Sequence, residues 1–529
     1  MGSLHLPFHG EAEGTSDVPH CLWNLYDADD IGMMSMEEKV RVLGLCVRVS
    51  DSVIGDLFPS PNAVDTVLQL IIDAPTQIEE PIPLLTAENT RLCSVEPLSV
   101  IRSERRTLSR LEVATLLACM LMWQVPDEII TSNETNWNFN APCHMGNLWK
   151  AAAGGDVVSE HKLRCILSYF DSPVTLHWSE EFIHFSRWRR SFSEEWKDLQ
   201  NDLPINLPPL HIVDGLQGFA LTPATEAIAD FANEYIGGGV LGRGAVQEEI
   251  LFVTHPEALV SLCLCDQMER DEAILISGIK RSCDSNGYAS TFRWERSLPL
   301  QQMPGRLFFC FDALYFRSGK VHQQFRKSCM LREINKAIVA FTGLLTPREE
   351  NSWPSALNTG HWGGGAFHGH RPLKCLLQWI AFAIVWHEQE QEQRQRQEKA
   401  REKEKEKEQC VAFLPPVAFI FHTFGDVAFS QRLRAITTQL METPSLNTVE
   451  FLLSCVATFY PMIKANPEAD LWSHIEQCIQ THRREQSPLV VPAPITTSVA
   501  NSAERPVDRA SSLPKRPTLI TDYFPIIPK

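Results

Sequence analysis

The chain has 529 residues, with 48 Lys and Arg against 65 Asp and Glu and a formal charge of −17. Such a length exceeds what one hydrophobic core usually serves, so a large unit plus an accessory region is expected, and the acidic balance argues against broad nonspecific attachment to nucleic acid. Fifteen cysteines, an odd number without a Cys-x-x-Cys pair, argue against a disulfide framework and for a reducing compartment.

Residues 1–34 hold histidines and acids but no basic stretch leading into an apolar one, so they read as a flexible segment and not as a secretory leader. From 35 to 204 the pattern is that of a mostly helical accessory domain. Leu108, Leu111, Val113, Leu116 and Leu117 recur near a 3.6-residue period, and Ile166, Leu167 and Phe170 continue it. Trp137, Trp149, Trp178, Trp188 and Trp196 are expected to pack this region on its neighbour.

Residues 205–484 alternate between short apolar runs and helical periodicity. Runs at 274–276, 307–311 and 417–421 read as buried strands, while Leu373, Leu376, Leu377 and Ile380 mark a helix. That alternation indicates a three-layer α/β domain. Within it, Gly237, Gly238, Gly239, Gly242 and Gly244 form a tight loop whose N–H groups are expected to converge on an anion, because glycine lacks a Cβ and tolerates positive φ. Gln247, Glu248 and Glu249 then open an apolar segment. Neighbours on a helix diverge by about 100°, so one carboxylate faces a ligand while the next holds another part of it; alternatively, acids in a first helical turn only complement the helix dipole. Cys263 and Cys265 are too close for a zinc knuckle and no His pair completes a set, so no metal and no cofactor are expected.

The longest apolar run, 375–386, is well short of the roughly 20 residues needed to span a bilayer and reads as a core helix, so no membrane partner is expected. Residues 388–409 are almost entirely Glu, Gln, Lys and Arg. Without an apolar face this insertion should be a solvated helical extension or a disordered loop. After 485, Pro488, Pro492, Pro494, Pro506 and Pro514 among Ser and Thr indicate a disordered tail. Near its end Ile520 stands three positions before Tyr523 and Phe524, with Lys515 and Arg516 upstream. The spacing resembles the plug of peptides that bind the replicative sliding clamp, although Pro517 replaces the usual leading Gln; apolar C-terminal residues without a role are the alternative.

Three glycines, a short spacer and Gln247-Glu248-Glu249 together resemble the signature of the poly(ADP-ribose) glycohydrolase family. The resemblance extends to Ala229-Asp230-Phe231-Ala232-Asn233, Gly287-Tyr288-Ala289 with Arg293-Trp294, the run from Thr359 through Gly363-Gly364-Gly365 to Phe367, and Thr423-Phe424-Gly425-Asp426, all in family order. Lys162-Leu163 and Tyr169-Phe170 look like the family's helical region.

The resemblance implies a macrodomain-like α/β fold, a mixed sheet flanked by helices, with an N-terminal mostly helical accessory region. It implies hydrolysis of ribose–ribose O-glycosidic bonds in poly(ADP-ribose), mainly from the chain end, with poly(ADP-ribosyl)ated proteins as partners and nuclear or cytoplasmic residence. Glu249 is implied as the acid and then the base for water, Glu248 as the holder of hydroxyls near the scissile bond, and Asp230 as support for the catalytic loop. A Glu beside a pyrophosphate in a partly dry cleft is expected to have a raised pKa. Asn233 and Gln247 would bond riboses, Gly237, Gly238 and Gly239 would approach the ligand closely, and Gly363, Gly364 and Gly365 would suit the diphosphate. Tyr288 and Phe424 match the aromatics that sandwich the terminal adenine, and Phe367 would pack on the distal ribose. His361, Gly364, His368, His370 and Phe292 depart from the family pattern. The rival readings are a macrodomain that binds ADP-ribose without cleaving it and a clamp-tethered scaffold.

Overall fold

The computed structural model describes residues 22, 26–78, 82–88, 90, 101–122, 130–131, 144–191, 204–215, 219, 222–317, 319–346, 353–403 and 417–486. The clamp-like residues Ile520, Tyr523 and Phe524 lie outside them, as do Trp137 and Trp196. The chain forms two compact units, one from the described residues of Met1–Val95, Ile101–Arg189 and Asp230–Cys310, the other from those of Arg190–Ala229 and Phe311–Lys529. The units are therefore not consecutive in sequence: the segment with the glycine run and the glutamates groups with the helical N-terminal residues.

In the first unit the helices start where side chains satisfy the free N–H groups of the first turn. Ser35 and Ser109 close capping boxes on the helices Met36–Val47 and Arg110–Leu121, and Asp156 caps Val157–Phe170 through the Ser159 N–H. Val157–Phe170 is buried along most of its length, including Leu163, Ile166, Leu167, Tyr169 and Phe170. Trp149 is buried and its indole N–H donates to the Leu121 carbonyl at 3.0 Å.

Strands Ile101–Ser109, Phe182–Arg190, Glu272–Ile279 and Arg306–Cys310 lie side by side in that order. Glu272–Ile279 runs antiparallel to Phe182–Arg190 and to Arg306–Cys310. The first two strands fall in the stretch that reads as mostly helical. Phe182–Arg190 does alternate, with Ile183, Phe185, Arg187 and Arg189 turned inward, but two of the four inward residues are arginines. Their charge is met by Glu272, which accepts from Arg187 Nη2 at 2.6 Å and from Arg189 Nη2 at 2.7 Å. Buried charge thus takes the place of the apolar half of a strand pattern. Leu108, counted with the helical period, closes the strand before Ser109 caps the helix.

In the second unit Ala227–Asp230, Ala356–Thr359, Ala418–His422 and Leu210–Val213 lie side by side, all parallel. Ala227–Asp230 and Ala356–Thr359 are buried at every position, as expected of parallel strands covered on both faces. Leu357, Phe419 and Phe421 are buried; Phe341 of the helix Lys327–Leu345 and Phe382 of Arg371–Lys403 both meet Phe419, and Phe421 stacks on Phe429.

Arg371–Lys403 joins two characters in one helix. Its first half buries Leu373, Leu376, Leu377, Ile380 and Val385, the expected core helix. Its second half carries the charged insertion as a continuous helix as far as Lys403, anchored at its base by Arg190 Nη2 to Glu388 at 2.7 Å. Among the described residues no helix is long and apolar enough to cross a membrane.

Candidate functional site

The helix Gln247–Thr254 starts after Val246, an extended residue with φ −102° and ψ −158°. Its first three side chains each catch backbone N–H groups. Gln247 Oε1 accepts from Phe231 at 2.9 Å. Glu248 accepts from Asn233 at 3.0 Å with Oε2 and from Gly237 at 2.7 Å with Oε1. Glu249 accepts from Gly239 at 2.9 Å with Oε1 and from Val246 at 2.9 Å with Oε2. One segment, 231–239, therefore fastens all three residues of the Gln-Glu-Glu run, and the carboxylates do more than complement a helix dipole.

Glycine is required here by contact. At Gly238, whose φ is +51°, a Cβ would run into Glu248 Oε2 and lie 3.0 Å from Glu249 Oε1. At Gly244 it would come within 2.5 Å of Glu249 Oε1 and 2.7 Å of its Cδ. The N–H groups of the run are engaged inside the protein: those of Gly237 and Gly239 on the carboxylates, that of Gly238 on the Tyr235 carbonyl, and those of Gly242 and Gly244 on the Gly239 carbonyl. They do not point together at an anion, as the sequence suggests they would. The two carboxylates are 4% and 6% exposed, and buried oxygens this dry must draw donors from the nearest backbone.

Asp230, fully buried at the end of its strand, completes a cluster of three acids. Among the described residues no nitrogen or oxygen donor reaches its oxygens, and the weakly donating Cys310 thiol is the group that bonds to it. Burial pushes its pKa up to about 8, with the neighbouring Cys310 thiol opposing the rise and Glu249 adding to it. A neutral acid needs fewer and weaker donors than a carboxylate, which fits oxygens whose one partner is a thiol. Burial also pushes Glu248 well above the usual carboxylate range, helped by Asp230 and Glu249 and resisted by the N–H groups of Asn233 and Gly237.

Tyr288 sits in the turn between the antiparallel strands Cys283–Asn286 and Arg293–Ser297. Its N–H donates to Thr291 Oγ1 at 3.0 Å, and the Ala289 N–H donates to the Ala245 carbonyl at 2.8 Å, two residues before Gln247. Tyr288 is thereby tied to the glutamate segment and remains half-buried. Trp294, in the second strand, fixes the hairpin to Val157–Phe170 by donating from its ring to Ser168 Oγ at 2.9 Å. Phe292 is fully buried, so a ring without a hydroxyl suits its surroundings.

Within the second unit the strand Ala356–Thr359 runs into the second glycine loop. A Cβ on Gly360 would lie 2.6 Å from the Phe424 ring and 2.7 Å from the His422 carbonyl, so this glycine makes room for Phe424. Phe424 has φ +50°, a left-handed conformation that a bulky residue adopts only when its surroundings impose it. Its ring stands edge-on to Phe219, 5.5 Å between centroids. His361 Nε2 lies 3.2 Å from the Thr423 carbonyl, and burial pushes its pKa down to about 4, so its ring is neutral at physiological pH. Gly363 has φ +66° and would press a Cβ to 2.6 Å from that of Ala313, while the Lys374 ammonium sits 4.3 Å from the Trp362 ring centroid and pairs with Glu333. Phe367 is half-buried and meets Tyr315 edge-on at 5.9 Å; Gly364 and Gly365 lie two and one positions before the exposed Ala366.

Asp230, Asn233, Gly237, Gly238, Gly239, Gln247, Glu248 and Glu249 are thus brought together, with Tyr288 linked to them, in the first unit. Gly363, Gly364, Gly365, Phe367 and Phe424 occupy two loops of the second. Sequence reasoning passed over Lys162, quoted there only for its likeness to a helical region. Its buried ammonium donates to the carbonyls of Gly242 at 2.9 Å and Gly244 at 2.5 Å, with that of Gly239 at 3.5 Å. Its place three, four and seven positions before Cys165, Ile166 and Tyr169, on the buried face of its helix, was the available signal.

A glycine-clasped pair of buried glutamates on an α/β scaffold with a helical N-terminal part defines a macrodomain of the glycohydrolase kind. The chain belongs to the poly(ADP-ribose) glycohydrolase family: residues 61–187 match the helical domain of that family and residues 205–391 its macro domain fold. It is 33% identical over 241 residues to poly(ADP-ribose) glycohydrolase 1 of Caenorhabditis elegans, covering 42% of this chain and 30% of that protein. It is 28% identical over 316 residues to poly(ADP-ribose) glycohydrolase 2 of the same organism, covering 55% and 59%. Poly(ADP-ribose) glycohydrolase 1 of Arabidopsis thaliana is 26% identical over 296 residues, covering 42% and 52%. The matched part thus spans less than two thirds of each of these relatives.

Proposed function

We propose that the chain hydrolyses the ribose–ribose O-glycosidic bonds of poly(ADP-ribose), releasing ADP-ribose mainly from the chain end. The observation that carries this reading is the fixing of Glu249 by the Gly239 and Val246 N–H groups at 2.9 Å each, beside two further buried acids, Glu248 and Asp230, whose pKa values burial raises. Glu249 donates a proton to the leaving ribose hydroxyl as the glycosidic C–O bond breaks and positive charge develops at the anomeric carbon. Now ionised, it takes a proton from the water that adds to that carbon. The proton lent in the first step is regained in the second, so the enzyme ends as it began.

Glu248 holds hydroxyls of the ribose at the scissile bond, and Asp230 supports the loop and keeps the cluster from carrying three charges. Asn233 and Gln247 bond the riboses, and the bare backbone of Gly237, Gly238 and Gly239 lets the ligand come close. Tyr288 and Phe424 contact the terminal adenine, Phe367 the distal ribose, and Gly363, Gly364 and Gly365 the diphosphate. Incubation of the chain with labelled poly(ADP-ribose) tests the reading. Monomeric ADP-ribose is the expected product; binding of the polymer with no release identifies a reader macrodomain instead.

The tail residues Ile520, Tyr523 and Phe524 form, in this reading, a plug for the replicative sliding clamp, consistent with residence in the nucleus as well as the cytoplasm. A peptide of residues 513–529 should bind the clamp, and Ile520→Ala should weaken it. Equal binding by the two peptides removes the clamp as a partner.

A further inference from the structure

We propose that Lys162, projecting from the helix Val157–Phe170, is the positioning residue of Glu249: its ammonium gathers the glycine-loop carbonyls and so holds the loop N–H group that fixes the carboxylate. The inference rests on the hydrolase reading and extends it to a residue that touches neither substrate nor the reacting atoms.

The geometry is a short chain of contacts. Lys162 is fully buried, and its ammonium has three N–H donors and no acceptor. Three carbonyls face it, those of Gly239, Gly242 and Gly244. The Gly239 carbonyl also accepts the N–H groups of Gly242 and Gly244 at 3.0 and 3.1 Å, closing the loop on itself. On its other side the Gly239 N–H donates to Glu249 Oε1. Gly239 is therefore the junction between cation and carboxylate, and Gly244, which bonds Lys162 through its carbonyl, is the residue against which Glu249 rests.

Charge supports the same link. Glu249, from the glutamate helix, is the strongest of the groups that favour the ammonium, and Asp156 at the cap of the lysine's own helix also favours it. Arg243 in the loop acts on Asp156, and burial holds the Cys165 thiol well above its ordinary range, so it stays neutral. Against these, burial wins and the Lys162 pKa is pushed down to about 8. A neutral amine offers two donors to three carbonyls. Raising the pH through about 8 should therefore loosen the loop without unfolding the protein.

The test is the pH profile of kcat/KM on poly(ADP-ribose), which reports the free enzyme, for the wild type, Lys162→Met and Lys162→Gln, with KM and ADP-ribose affinity measured alongside. In the wild type kcat/KM falls as pH rises past about 8. In the variants kcat drops on the order of 10²-fold, the scale for ångström misplacement of a reacting group, KM changes little, and the wild-type-to-variant ratio of kcat/KM shrinks as pH rises past about 8. A wild type without that alkaline limb overturns the proposal whether or not the variants fold. So does a variant with full kcat, or a wild-type-to-variant ratio of kcat/KM that stays constant through that pH range. A wild type that releases no ADP-ribose removes the hydrolase reading and this inference together, whereas an active wild type without the limb removes this inference alone.

Discussion

Glu249 and Gly244 touch so closely that no side chain fits between them: a Cβ on the glycine would stand 2.5 Å from the carboxylate oxygen that also accepts the Gly239 N–H. The loop is thus shaped around the acid, and its glycines serve the carboxylates before they serve a ligand. Gly244→Ala should displace Glu249 and lower kcat by on the order of 10²-fold, with a loss of about 1–3 kcal/mol in stability from overpacking. Steady-state kinetics together with a thermal melt check both, and wild-type kcat in a folded Gly244→Ala protein would show that the contact is immaterial.

Asp230 carries a signed dependence of stability on pH. Its pKa rises from 3.8 in the unfolded chain to about 8 when folded, so between those values the folded state binds more protons. Stability from this group is therefore fully present below pH 3.8 and is lost as pH rises from there through about 8. Asp230→Asn, neutral throughout, should gain Tm relative to wild type at pH 8 and gain much less at pH 5, while losing activity. Scanning calorimetry at the two pH values reads the difference; an equal shift at both would mean that Asp230 is ionised in the folded protein.

Much of this arrangement is legible in the sequence because it is local. The glycine run and Gln247-Glu248-Glu249 are ten residues apart, and the helix starting at Gln247 is where the apolar segment suggests. The strands at Glu272–Ile279, Arg306–Cys310 and Ala418–His422 likewise follow apolar runs. What stays hidden depends on partners distant in sequence. Phe182–Arg190 hides its alternation behind two arginines made buriable by carboxylates far along the chain, Glu272 between them both and Asp266 on Arg187. Lys162 reaches its loop across 77 to 82 residues. The destination of the glycine N–H groups could not be read because the burial of the two carboxylates is a property of the folded chain.

Tyr288 owes its place to the Ala289–Ala245 hydrogen bond, and Phe424 its left-handed backbone to the space above Gly360. If both rings stack on adenine, Tyr288→Ala and Phe424→Ala should each raise KM by about 10- to 100-fold, the equivalent of roughly 1–3 kcal/mol per stacked base, with kcat less affected. Kinetics on short poly(ADP-ribose) chains distinguish this from a fall in kcat alone, which would assign the rings a role in the fold.

In the charged half of Arg371–Lys403, Gln391, Glu392, Arg394 and Gln395 are exposed. Replacing residues 391–409 with a short flexible linker, which keeps the Arg190–Glu388 pair, should leave kcat and KM unchanged. A large fall in kcat for the shortened protein would assign the extension a part in turnover.

The most direct measurement is the rate of ADP-ribose release by Glu249→Gln beside wild type, with ADP-ribose affinity determined by calorimetry on both proteins. The amide retains the shape of the side chain and cannot cycle a proton, so release should fall by at least about 10²–10⁴-fold while affinity holds. Turnover close to that of the wild type in the Glu249→Gln protein would contradict the account and move the acid to another residue.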